Sequence, residues 1–127
     1  MHDANVLVVD DIGAIVEELV TLMALHGIRA VGAADLTEAI DKLENGPELR
    51  VISCDVRLDR ECGLDIIDKV ASHPTLHARK FSYLFVSGDQ TQIESLETQS
   101  DIAILSKPVQ PGLLIDTLKR VLLATNG

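Results

Sequence analysis

Short apolar runs alternate with stretches of helical spacing from one end of the chain to the other. The runs are NVLVV (5–9), IRAVGA (28–33), RVISC (50–54), FSYLFV (81–86) and IAIL (102–105). They are brief and mostly unbroken by charge, as expected of strands buried on both faces. Five stretches with helical spacing complete the pattern. In GAIVEELVTLMALHG, Ile15, Leu19, Leu22 and Met23 make one stripe and Gly27 ends it. In DLTEAIDKLENG, Asp35 and Glu38 stand at capping-box spacing and Gly46 closes the helix. The third runs from about Leu64 to Ser72, with Pro74 as its stop. The fourth, around QTQIESLETQ, has only Ile93 and Leu96 to bury, so a short and loosely held helix is expected. The fifth, PGLLIDTLKRVLLA, opens with Pro111 in the favoured first-turn position.

Such alternation requires right-handed crossovers and a parallel sheet. The expected fold is α/β, a (βα)5 doubly wound five-stranded parallel sheet in the flavodoxin-type order 2-1-3-4-5. At 127 residues the chain suits a single domain with one proper core, and no linker or low-complexity segment interrupts it. Phe81, Tyr83 and Phe85 are its only rings. They alternate along the fourth strand and are expected to face one helix layer, with the Tyr83 hydroxyl near solvent. Val, Ile, Leu and Ala must supply the rest of the core.

Ligands of open α/β sheets bind beyond the carboxyl ends of the strands. The first run ends in Asp10 and Asp11, the third in Asp55, the fourth in Ser87, and the fifth in Ser106, Lys107 and Pro108. The second ends in plain Ala33 and Ala34. In the expected order the second strand is an edge, so every polar end faces one cleft. Carboxylates brought that close repel one another and favour a proton or a cation. Their hard oxygens suit Mg²⁺ (or Mn²⁺). Lys107 adds a compact positive charge and Ser87 a hydroxyl donor. Together these groups suit phosphoryl transfer with a carboxylate as nucleophile. Singly, each has a plainer reading: Asp10 or Asp11 as a helix cap, Asp55 and Ser87–Gly88 as turns, Lys107 as a solvated lysine. Together those plainer readings need four coincidences at adjacent strand ends.

The net charge of −9 narrows the partners. Such a surface repels phosphate backbones and anionic membranes, so neither nucleic acid nor a membrane is expected to bind directly. MHDANVLVVDD has no basic leader, and no run reaches spanning length. Cys54 and Cys62 fit neither a CxxC motif nor a disulfide framework, so a reducing cytoplasm is expected. Cys54, inside a strand beside a carboxylate, should be inert, while Cys62 in a loop is the more accessible thiol. His2, His26, His73 and His77 lack metal-ligand spacing.

VLVVDD, VISCD, Gly63 eight residues after Asp55, LFVSGD and LSKP follow one another in order. With these motifs the sequence resembles, over its whole length, the receiver domain of two-component response regulators, the CheY-like class. The resemblance implies that Asp55 accepts a phosphoryl group from a sensor histidine kinase or a histidine phosphotransfer protein. It implies Mg²⁺ held by Asp11 and Asp55, by Asp10 through water, and by the backbone carbonyl of Arg57. Ser87 and the Gly88 N–H would bind phosphoryl oxygens, Lys107 would pair with their charge, and the Lys107–Pro108 bond would be cis. Such a domain acts as a monomer or weak dimer and signals to a downstream output domain or protein. It is a switch that catalyses only its own phosphorylation and dephosphorylation.

Three positions depart from the pattern. Asp59 stands where similar domains carry Pro, Arg57 brings a long cation to the cleft rim, and Ile104 replaces the usual aromatic of the fifth strand. Arg57 and Asp89 should both lie at the mouth, close enough to pair. Two rivals use the same parts. A phosphatase of the haloacid-dehalogenase type would carry its nucleophile on the first strand in a DxD motif, which Asp55-Val56-Arg57 is not. A pseudo-receiver that binds partners without phosphorylation is favoured only by Ile104.

Overall fold

The computed structural model of the protein describes residues 4–88 and 101–126, with side chains as far as Leu123. β1 (Val6–Val9), β2 (Ala30–Ala33), β3 (Val51–Asp55), β4 (Ser82–Ser87) and β5 (Ile102–Ser106) form one parallel sheet. Its order is β2-β1-β3-β4-β5, as expected. The helices are α1 (Gly13–Leu25), α2 (Leu36–Asn45), α3 (Asp65–Ala71) and α4 (Pro111–Asn126). The last is the fifth helical stretch of the sequence. The helix expected around QTQIESLETQ lies outside the described residues.

The helix ends follow local chemistry. Gly27 takes φ of +78°, a left-handed conformation that suits glycine. This lets the Ile28 N–H reach the Met23 carbonyl at 2.8 Å and the Gly27 N–H reach Ala24 at 3.1 Å, a Schellman stop for α1. At α2, Asp35 Oδ1 accepts from the Glu38 N–H at 2.8 Å. Glu38 reaches back to the Ala34 N–H at 2.7 Å, one residue earlier than a regular capping box. α3 stops at Ala71, where the Ser72 hydroxyl donates to the Asp68 carbonyl at 2.8 Å. Beyond Pro74 a short 3-10 turn, Leu76–Ala78, buries Leu76, an element that hydrophobic spacing does not signal.

Alternation along the strands divides the core into two layers. Leu7, Val9, Ile52, Cys54 and all three rings pack with α2 and α3. Val6, Val8, Val51 and Leu84 pack with Met23 of α1 and Leu114 and Leu118 of α4. Tyr83 and Phe85 stack with centroids 5.8 Å apart and planes 2° from parallel, so the expected ring layer is present. Tyr83 is buried, and burial together with the nearby Asp101 pushes its hydroxyl pKa up to about 12. Arg79 closes the lower end of this layer. Its guanidinium lies 4.8 Å from the Phe81 centroid and donates to the carbonyls of Leu43, Gly46 and Leu49 at 2.7–3.0 Å. One planar cation thus satisfies the C-terminal carbonyls of α2 and the turn after it.

The turn leaving β3 is tight. The Gly63 N–H donates to the Val56 carbonyl at 2.7 Å, which draws the α3 entrance under Asp55. A Cβ on Gly63 would overlap the Asp55 carbonyl oxygen and stand 2.9 Å from Cys54 Sγ. Backbone cannot yield as a flexible side chain does. Gly63→Ala is therefore expected to lower the unfolding free energy by about 1–3 kcal/mol, read as a lower urea midpoint. An unchanged midpoint would contradict this packing.

Candidate functional site

The four strands with polar ends are neighbours, so the sheet itself assembles the site. Asp10 continues β1 by one residue, its N–H still bonded to the Ala33 carbonyl at 3.1 Å. Its Oδ1 accepts from the Ile12 N–H at 3.0 Å. Ile12, and not an aspartate, stands at the N-cap of α1, and no side chain caps it. The simple capping role for the acidic pair is thus not what the chain adopts. Asp11 is exposed beside it.

Asp55 is the last residue of β3 and only 8% exposed. Its two oxygens are held from different sides. Oδ1 accepts from the Arg57 N–H at 3.2 Å, and Oδ2 lies 2.9 Å from Lys107 Nζ. Lys107 reaches it from beyond β5, where the Lys107 N–H pairs with the Ser87 carbonyl at 2.9 Å and the Lys107–Pro108 bond is cis. Ser87 is buried at the end of β4, in register with Ser106. Gly88 follows, exposed, and no atom of the described residues lies within 4 Å of a Cβ built on it.

Asp10, Asp11 and Asp55 each present an oxygen within 4.8 Å of the others. Burial, above all, holds the Asp10 carboxyl above the usual carboxylate range; the charges of Asp55 and Asp11 add to this, while the Ile12 N–H and Lys107 oppose it. Lys107 is the one cation paired with this cluster among the described residues. Oxygen-only donors, crowded and short of positive charge, fit a hard divalent ion such as Mg²⁺. A cavity of about 500 Å³ opens over Asp55, bounded by Arg57, Glu61, Cys62, Ser87, Gly88 and Lys107.

The remaining positions fall as follows. Arg57 is exposed at this cavity, and its backbone bridges to Cys62 across a small antiparallel turn. Asp59 is exposed, 3.9 Å from the side chain of Arg60, and borders a neighbouring cleft with Asp11 and Asp35. Asp89, and with it any pairing to Arg57, lies outside the described residues. Ile104 is half-buried beside Phe85 and packs against the ring layer. Burial, with help from Asp55 and Asp10, pushes the Cys54 thiol far up, in line with inertness, and its Sγ lies 3.3 Å from the Asp55 carbonyl.

Sequence reading missed Glu61. Its Oε2 accepts from the Leu36 N–H at 2.8 Å, tying the loop after Asp55 to the first turn of α2. Partners 25 residues apart in different elements leave no local spacing to find. No helix among the described residues is long and apolar enough to cross a membrane.

Residues 6–119 match the response regulator receiver domain family. The two-component response regulator PprB of Pseudomonas aeruginosa is 26% identical over 119 residues, 92% of this chain. The chain spans 43% of that relative's length. The crystal structure of a response regulator receiver protein from Pseudomonas putida superposes with a TM-score of 0.78 at 30% identity, covering 94% of this chain and 98% of that one. The chemotaxis response regulator CheY4 of Vibrio cholerae gives 0.76 at 25% identity, over 93% and 98% of the two chains. With that sheet order, this acidic cleft and a family match running from β1 into α4, the chain belongs to the response regulator receiver domains of two-component systems.

Proposed function

We propose that Asp55 is the phosphoacceptor of a two-component relay. The observation that carries this reading is the setting of Asp55. It is a nine-tenths buried carboxylate held at both oxygens, with an open cavity in front and two further carboxylates beside it. One Asp55 oxygen attacks the phosphorus of a phosphohistidine on a sensor kinase or histidine phosphotransfer protein. The P–N bond breaks, and the electron pair leaves with the imidazole. The attacking oxygen is desolvated and aimed in advance, which lowers the entropic part of the barrier. Asp11, Asp55, the Arg57 carbonyl and, through water, Asp10 would hold Mg²⁺, which would supply neutralising charge for the phosphoryl oxygens. Lys107 exchanges its carboxylate partner for a phosphoryl oxygen, while the Ser87 hydroxyl and the Gly88 N–H donate to the others.

The domain acts as a switch rather than a turnover enzyme, in the cytoplasm, with an output domain or protein downstream. Ile104 sets a condition on the readout. A β-branched side chain, stiff at its first torsion, cannot copy a ring that swings between two positions. We place the response in the Arg57–Asp59 rim and in the chain beyond Gly88.

Two outcomes test this reading. Incubated with acetyl phosphate and Mg²⁺, the native domain should gain a phosphoryl mass increment, and Asp55→Asn should gain none. An equal increment in the variant moves the acceptor elsewhere. The second outcome concerns pH. The folded domain binds a proton at Asp10 more tightly than the unfolded chain does. In chelator, stability is then highest with Asp10 protonated and falls as pH rises from about 4 through the raised pKa. Asp10→Asn should flatten that decline in urea midpoints. Mg²⁺ at a hundredfold excess over its Kd should add about 2.7 kcal/mol to the native domain at neutral pH. A midpoint indifferent to Mg²⁺ would remove the metal from the account.

A further inference from the structure

The two faces of the sheet are filled differently. All three rings pack on the α2 and α3 side. The α1 and α4 side holds no ring among the described residues, and there a cavity of about 520 Å³ remains beneath the site. Val8 and Ser53, partners in the β1–β3 register, form its floor. Leu19 of α1 and Leu114 of α4 wall it. Asp10 and Asp55 sit two residues further along the same strands, one pleat nearer the mouth. A mostly apolar recess of this size with polar groups at one end has the form of a small-molecule site, for which roughly 300–1,000 Å³ is usual.

Charge selects the occupant. Lys107 is paired with Asp55, whereas Asp10, 7% exposed, has no ion-pair partner among the described residues. A net charge of −9 further favours cations over anions at the mouth. We propose that this recess binds a small cationic amphiphile, a protonated amine on an apolar body of one or two rings. Its ammonium sits at Asp10, and its body lies against Val8, Leu19 and Leu114. Because Asp10 also belongs to the carboxylate cluster, the amine and a divalent ion exclude each other at the mouth, and the occupant restrains the switch. Only this last consequence rests on the phosphoacceptor reading; the binding itself does not.

The test is a titration of the full chain in chelator, without phosphodonor, followed by amide shifts in ¹H–¹⁵N spectra. Benzylamine is the probe, with benzyl alcohol and benzoate as its neutral and anionic counterparts. Saturable shifts are expected at Val8, Leu19, Ser53 and Leu114, about tenfold weaker affinity for benzyl alcohol, and no saturation with benzoate. Leu19→Phe should fill the recess, keep the native circular dichroism and abolish these shifts, while Mg²⁺ affinity stays unchanged. Leu114→Phe tests the opposite wall in the same way. Shifts confined to Asp10 and Asp11, equal affinities for the three probes, or undiminished binding in both filled variants would overturn the proposal. Absence of a phosphoryl adduct on the native chain would instead bear on Asp55 alone.

Discussion

The contact between Lys107 and Asp55 holds together two strands that do not touch. β4 lies between β3 and β5, so the 2.9 Å pair arches over the end of β4 and over Ser87. It is also the one ion pair set against three crowded carboxylates among the described residues. Like charges at a buried strand end oppose folding, and a single ammonium offsets only part of that. The site is therefore kept in tension by the sheet beneath it, whose central strands are fully buried and cannot splay. Any ligand that brings positive charge relaxes the tension, and any group that takes over the lysine changes what joins β3 to β5.

The chain places its few large side chains unevenly. Rings stack on one face, where Phe85 is fully buried and Arg79 seals the lower end. That face carries α2 and α3 and the loop after Asp55. The opposite face relies on branched aliphatics and on the contact of α1 and α4 with β1, β3 and β4. Asp55 stands at the top of the boundary between the two faces.

Much of this could be read in advance because it repeats. Strands buried on both faces announce themselves as short apolar runs, and a polar residue directly after such a run has only one direction to face. Asp10, Asp11, Asp55, Ser87 and Lys107 were legible for that reason. Glu61 and Arg79 were not. Each bonds to backbone far away in sequence, and backbone groups are the same whatever residue carries them. Glu38 was half legible: its spacing to Asp35 foretold a reciprocal cap, but the register of the return bond depends on how the chain leaves β2. The acidic pair shows the same limit, since the helix after Asp10 and Asp11 begins at a residue with no capping side chain.

The loop after Asp55 shows how the chain manages without a proline at Asp59. A ring would restrict the backbone covalently, under all conditions. Here the work is divided between the Arg57–Cys62 bridge and one glutamate gripping the first turn of a neighbouring helix. A half-exposed carboxylate–amide contact weakens as salt screens it and as competing ions find the helix end. The rim of the cleft beside Asp55 then takes its firmness from the surrounding solution and loosens as ionic strength rises.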